Sequence, residues 1–303
     1  MSWTSLRVPA SSANLGPGFD ALGLALGIYL DCRFRPGDKL SITVTGRDCE
    51  TISTGEDNLI WQTALAVAAD TRSSIRPIEL QVDNQIPVGK GLGSSAAALT
   101  AGVVIADRLL GLGWKRPRIL DEAARIEGHP DNVAACVLGS LVASAIDSGG
   151  GARAVRLELS SRFGIGIVVP DFMLPTVEAR AVLPDCYSRT DAIFNVQRAA
   201  LLVAALATGT VGAFPTALED RFHQSYRAHL APGLSDILKL RAPGLLGCAL
   251  SGAGPSIIVF YERGFEQVCD LVRQVLALHG HNSEVLLAPI DEHGFTLEEG
   301  TEP

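Results

Sequence analysis

An α+β fold in two units is what this sequence predicts, on three observations. Strand-like alternations and helix-like apolar stretches are mixed in both halves of the chain, neither segregated nor in strict alternation. A length of 303 residues is enough for two modest hydrophobic cores. Finally, 47% hydrophobic and 19% charged residues, with glycine and proline spread throughout, exclude a disordered or fibrous chain.

Taken in order, Leu40-Ser-Ile-Thr-Val-Thr45 alternates with period two and reads as a half-buried strand. Acids at 56 and 57 and Asn58 precede an alanine-rich helix over 59–69, and Ile78–Asp83 is a second alternating strand. Residues 94–110 form the strongest helix: serines at its start, no proline, and an apolar surface on most sides that requires burial. Pro117 suits the first turn of a helix over 118–127. A glycine-rich turn at 147–153 precedes a strand at 164–170. Helices follow near 191–207, 216–228 and 234–240. Strands at 245–250 and 256–260 flank the turn Gly252-Ala-Gly-Pro255, and a helix at 265–278 and a strand at 283–287 close the chain. The unit boundary falls between 150 and 164, giving an N-terminal unit 1–158 and a C-terminal unit 159–303.

A formal net charge of −8 argues against a general nucleic-acid binder. The six cysteines show no C-x-x-C pair and no histidine at metal-ligand spacing, so they read as small buried hydrophobes in a reducing compartment. The first residues lack a signal peptide's charged start and apolar run, and apolar stretches such as 201–208 stop short of the ~20 residues of a membrane span. These features predict a cytoplasmic protein with no membrane partner. Serine-hydrolase and zinc-protease signatures, G-x-S-x-G and H-E-x-x-H, are absent.

The most informative stretch is Pro87-Val88-Gly89-Lys90-Gly91-Leu92-Gly93-Ser94-Ser95-Ala96-Ala97. Three glycines at alternate positions feed a helix that opens with two hydroxyls. Such backbone turns N–H groups toward an anion, and the helix N-terminus adds about half a positive charge. Neither a Walker A loop nor a Rossmann fingerprint matches this spacing; the alternative is an ordinary glycine-rich turn before a serine-capped helix. Two further blocks stand in order around it: Pro9-Ala-Ser-Ser-Ala-Asn14-Leu-Gly-Pro-Gly-Phe-Asp20 and Leu250-Ser-Gly-Ala-Gly-Pro-Ser256.

Together the three blocks resemble the signature motifs of the GHMP family of small-molecule kinases. The first block, with Glu127-Gly-His-Pro-Asp131-Asn132, is similar to the members acting on L-homoserine. That resemblance implies a two-domain α+β fold with ATP and acceptor in the cleft between domains, Mg²⁺ as the metal, and transfer of phosphoryl to a side-chain hydroxyl. The sequence leaves the oligomeric state open, with a homodimer as one expectation. Another small alcohol as acceptor, or a silent ligand-binding regulator, are the alternative functions. Residues 87–97 would wrap the phosphates, with Ser95 near Mg²⁺ and Glu127 its acidic ligand; Asp121 and Glu122 are the alternatives for that role. An amide cannot take up the acceptor's proton, so Asn132 is read as orienting the acceptor or hydrogen-bonding the transition state, or else as a helix cap. Asp20 and Asp131, beside Asn14, would hold the ammonium of an amino-acid acceptor, and Arg180 and Arg227 its carboxylate. His129 is expected to be structural.

Overall fold

In the computed structural model, which describes residues 2–300, the chain opens with a long antiparallel pair, β1 (Thr4–Asn14) and β2 (Gly18–Pro36). Next come β3 (Ser41–Gly46), α1 (Leu59–Asp70), β4 (Ile78–Asn84), α2 (Ser94–Leu110), α3 (Arg116–Glu127), α4 (Asp131–Leu138), β5 (Leu141–Ile146) and β6 (Ala152–Leu157). Then follow β7 (Phe163–Pro170), α5 (Thr176–Ala181), α6 (Arg189–Thr208), α7 (Phe214–Ala217), α8 (Gln224–Arg227) and α9 (Leu234–Ile237). The last elements are β8 (Leu245–Leu250), β9 (Ile257–Glu262), α10 (Cys269–Leu278), β10 (Ser283–Leu286) and β11 (Thr296–Glu299).

Two sheets result. A seven-stranded sheet runs β11-β1-β2-β4-β3, with β5 pairing β2 and β6; a four-stranded sheet runs β10-β7-β9-β8. The chain changes sheet between Leu157 and Phe163. It does not stay in the second one. After β10 it returns through an Asp291 turn, whose carboxylate accepts from the N–H groups of His293 and Gly294, and β11 pairs with β1. Arg116 fastens this return by donating to the carbonyls of Val137, His293 and Phe295. A unit spanning 159–303 therefore gives its last stretch to the first sheet.

Helix α2 lies at the centre of the first core, buried on most of its surface as its composition requires. Glycines in the left-handed conformation bound it at both ends: Gly93 at φ 69° and Gly111 at φ 63°. Asn58 caps α1 by accepting from the N–H groups of Ile60 and Trp61.

The expected helix over 216–228 is interrupted. Asp220 accepts from the N–H groups of Phe222, His223 and Gln224, so its carboxylate offers the backbone a turn in place of helical bonds and separates α7 from α8. The expected helix at 234–240 is likewise reduced to the single turn α9. Helix α6 spans 20 residues and by length and composition alone could cross a membrane, which the short run 201–208 did not foreshadow. Its Asp191 and Arg198 are ion-paired with Arg221 and Glu219, while Asn195, Leu202, Ala205 and Leu206 are buried. Four cysteines are buried as expected; Cys49 is half-buried, and Cys186 is exposed.

Candidate active site

The three glycine-containing blocks meet between the two sheets and hold one another. Each loop glycine has positive φ: Gly89 at 68°, Gly91 at 75° and Gly93 at 69°. A Cβ on Gly91 would collide with the Ser251 carbonyl, and one on Gly93 with Ser11 Oγ, so the turns are both left-handed and closely approached. Ser251 Oγ lies 2.7 Å from the Gly91 carbonyl oxygen and 2.8 Å from Ser12 Oγ. The Ser11 N–H donates to the Leu92 carbonyl at 3.1 Å, and the Ser256 N–H to that of Lys90 at 3.2 Å. Asn14 Nδ2 donates to the Gly252 carbonyl at 2.9 Å, while its Oδ1 accepts from the Asp20 N–H. Asn14 thus touches the cleft with its side chain already committed to joining the first block to the third.

These bonds frame a cleft of ≈ 130 Å³. It collects most of the loop together with Asn14, Asp20, Glu127, Asp131, Asn132, Arg180 and Arg227, but neither Asp121 nor Glu122. Of residues 87–97, Val88 and Ala97 do not line it; Val88 donates its N–H to Asp48 and Ala97 is fully buried.

At the N-terminus of α2 no side chain caps the helix, and the first helical bond from this turn is Ala97 N–H to the Gly93 carbonyl. The N–H groups of Ser94, Ser95 and Ala96 are left for an anion. The Ser94 and Ser95 hydroxyls have no partner among the described residues. Lys90 behaves differently from its neighbours: its Nζ donates to the carbonyls of Pro170 (2.9 Å) and Phe172 (2.8 Å), tying the loop to the second sheet. Burial lowers its pKa.

Glu127 ends α3 inside the cleft with no hydrogen-bond or ion-pair partner among the described residues. Burial, the main cause, raises its pKa, and Asp131 adds to this. Its two alternatives are engaged elsewhere. Asp121 pairs with Arg118 and accepts from the Ala152 N–H, and buried Glu122 is held by Arg118 and Arg125. A hard carboxylate without a cation, in the same cleft as a free Ser95 hydroxyl, is a donor set of the chemistry that suits Mg²⁺.

Asn132 lies in the first turn of α4 and is not its cap. Ser11 Oγ donates to its Oδ1 at 2.8 Å, and its Nδ2 donates to Asp131 Oδ1 at 3.4 Å, which leaves one N–H of the amide without a partner among the described residues. Asp131 is buried; its Oδ1 accepts from the Asn132 N–H at 2.8 Å and lies 3.2 Å from His129 Nδ1. The ligand atoms of Asp20, His129 and Asp131 all lie within 4.8 Å of one another. Both carboxylates of that group already have protein donors.

Arg180 forms a two-pronged ion pair with Asp20, at 2.8 and 3.1 Å, across the mouth of the cleft. Arg227 is 1% exposed and has no carboxylate within ion-pair distance among the described residues. Its Nε donates to the Ala179 carbonyl at 2.9 Å, and its Nη1 faces His223 Nδ1 at 3.0 Å and the Gly252 carbonyl at 3.2 Å. Burial, reinforced by Arg180, pulls its pKa down to about 10, so it stays charged at neutral pH. The bonds of Ser11, Ser251 and His223 escaped the sequence reading, although the serines lie inside the recognised blocks. A second cavity, ≈ 360 Å³ and largely apolar, adjoins the loop between Leu30, Ile52, Ile60 and Val82 and shares Gly89, Ser94 and Ser95 with the cleft.

Comparison with known proteins matches residues 58–140 to the GHMP kinases N terminal domain and 202–276 to the GHMP kinases C terminal domain. A homoserine kinase of Solibacter usitatus is 71% identical over 296 residues, covering 98% of this chain and 97% of that one. One from Deinococcus radiodurans is 41% identical, covering 97% and 96%. Among solved structures, a homoserine kinase from Cytophaga hutchinsonii superposes with a TM-score of 0.85 at 26% identity over 98% of both chains.

Proposed function

The chain belongs to the GHMP kinases, and on that footing we propose that it transfers the terminal phosphoryl group of ATP to the side-chain hydroxyl of L-homoserine, giving O-phospho-L-homoserine and ADP. The observation that carries this reading is the meeting of two uncompensated features in one cleft: the uncapped start of α2 and the buried Arg227 without a carboxylate. The first suits phosphates, the second an amino acid's carboxylate.

Residues 89–96 bind the triphosphate through backbone N–H groups and the Ser94 and Ser95 hydroxyls, with the base in the adjoining apolar cavity. Glu127 and Ser95 would hold Mg²⁺, which when bound draws charge from the phosphate oxygens. Arg227 takes the homoserine carboxylate. Asp20 and Asp131 face its ammonium, and Arg180 exchanges part of its fork with Asp20 for the carboxylate. The hydroxyl oxygen then forms a bond to the γ-phosphorus as the bond to the β–γ bridging oxygen breaks, and the hydroxyl proton leaves on an oxygen of the transferred phosphoryl group and passes from there to solvent. Neither Asn132 nor Asp131 is positioned as a strong base: Asn132 is an amide, and Asp131 already accepts from the Asn132 N–H and lies beside His129. Asn132 Nδ2, steadied by Ser11, instead donates to the acceptor or the transferring group. In a loose transition state this positioning and charge stabilisation supply the rate. A cytoplasmic homodimer belongs to the same proposal; light scattering tests the assembly.

The direct test is ADP release with homoserine, mevalonate, galactose, shikimate and no acceptor. Strong Mg²⁺-dependent stimulation by L-homoserine is expected. Preference for another alcohol, or no turnover with any, overturns the assignment.

A further inference from the structure

We infer that His223 is a positioning residue for acceptor recognition: a neutral imidazole that aims the Arg227 guanidinium into the cleft without cancelling its charge. The inference rests on Arg227 being the carboxylate clamp. The imidazole is completely buried, on the loop that Asp220 folds between α7 and α8. Its Nε2 lies 2.7 Å from the Gly16 carbonyl oxygen, which can only accept, so Nε2 carries the proton. Its Nδ1 lies 3.0 Å from Arg227 Nη1, which can only donate, so Nδ1 is the acceptor. Both ring nitrogens are thereby committed in one tautomer, and that tautomer is uncharged.

The surroundings fix the ring. Phe19 stacks on it with centroids 5.3 Å apart, and the same Phe19 ring lies 5.5 Å from the guanidinium carbon of Arg227. Asp220 Oδ2 is 3.8 Å from Nε2 but is occupied by the N–H groups of His223 and Gln224. Burial, the largest influence, pushes the imidazole pKa down and Arg227 adds to this, against Asp220.

The guanidinium is held by three acceptors, none of them ionised: the Ala179 carbonyl, the Gly252 carbonyl and His223 Nδ1. Nη2 has no partner among the described residues, and Arg227 is one of the residues that line the cleft. A carboxylate in place of the imidazole would orient the arginine equally well and would neutralise it. The imidazole orients it and leaves the full positive charge for the incoming carboxylate, in a setting where charge is weakly screened. His223 also links this choice to the first block, since Gly16 belongs to the turn that leads into Phe19 and Asp20 at the start of β2.

The test compares kcat/KM for L-homoserine with that for the amino diol carrying a hydroxymethyl group in place of the carboxylate. His223→Leu, which removes the acceptor, should lower the ratio of the two about tenfold while KM for ATP stays put. His223→Asn, whose Oδ1 can stand where Nδ1 stood, should restore most of the ratio. In an Arg227→Ala background His223→Leu should have no further effect on it. Because the ratio is internal to each variant, a loss of folded enzyme does not move it, and the Asn variant serves if the Leu variant is insoluble. An unchanged ratio in His223→Leu, with Arg227→Ala collapsing it, overturns the role of His223 and leaves the clamp standing. An unchanged ratio in Arg227→Ala overturns the clamp itself, and the role of His223 with it.

Discussion

Replacing Gly93 by alanine separates backbone strain from damage to the site, because α2 carries a matched control at its other end. Gly93 and Gly111 bound the same helix with φ of 69° and 63°. Either substitution forces an L residue into the left-handed region, at a cost of about 1–2 kcal/mol. Around Gly111 an added Cβ meets nothing within 4 Å, so Gly111→Ala should cost that strain alone. At Gly93 the Cβ would collide with Ser11 Oγ and lie 3.2 Å from Asn132 Oδ1. Crowding of this kind adds about 1–3 kcal/mol. Relief requires the Ser11 hydroxyl to move off Asn132, breaking their 2.8 Å bond. Gly93→Ala should therefore be about 1–3 kcal/mol less stable than Gly111→Ala in urea unfolding. It should also lose about tenfold in kcat with homoserine, a decade being 1.4 kcal/mol. Gly111→Ala should keep full kcat. Equal stabilities, or an undiminished kcat in Gly93→Ala, would refute the claim that this glycine protects the Ser11–Asn132 pair.

Glu127→Gln should abolish most Mg²⁺-dependent turnover, a loss of several kcal/mol in transition-state stabilisation, whereas Asp121→Asn should leave kcat intact and lower only stability by about 1 kcal/mol. Asn132→Ala should lower kcat while the pH–rate profile keeps its shape; a profile that loses an ionisation would make position 132 part of a proton relay. Lys90→Met removes two charge-assisted bonds to the second sheet and should raise KM for ATP, read by initial rates, more than KM for homoserine. The hydrogen bond to Asp131 is the main cause that raises the His129 pKa above its ordinary value. Its stabilisation is complete below the unfolded value of ~6.5 and fades as pH rises through the folded one. Urea midpoints across that window should fall more steeply in the natural chain than in His129→Gln.

The geometry of the loop at 87–97 was legible because it is local: alternate glycines and a serine-led helix state their turn within eleven residues. Strands β1 and β2 were not. From Val8 to Asn14 every residue of β1 is buried, so the period-two alternation that marks a half-exposed strand is missing. The helix over 216–228 failed for the opposite reason, since one carboxylate at 220 outweighs the propensity of its neighbours. Within the site, residue types were readable and their pairings were not. Lys90 in a phosphate loop reads as a phosphate ligand until its amine is found on carbonyls 80 and 82 residues away. Arg180 and Asp20 were assigned to opposite ends of one substrate, and they bind each other.

The crossing of β11 back to β1 places Trp3 and Gly300 in hydrogen-bond contact, the first and last parts of the described chain to be synthesised. During translation β1 can pair with β2 at once, but its other edge stays bare while the entire second sheet is made. A bare edge is a template for pairing with another nascent chain. The order of synthesis thus opposes the order of the sheet. Loss of only residues 296–300 would fix that vulnerable intermediate permanently, with the cleft between the two sheets untouched and the β1 edge open.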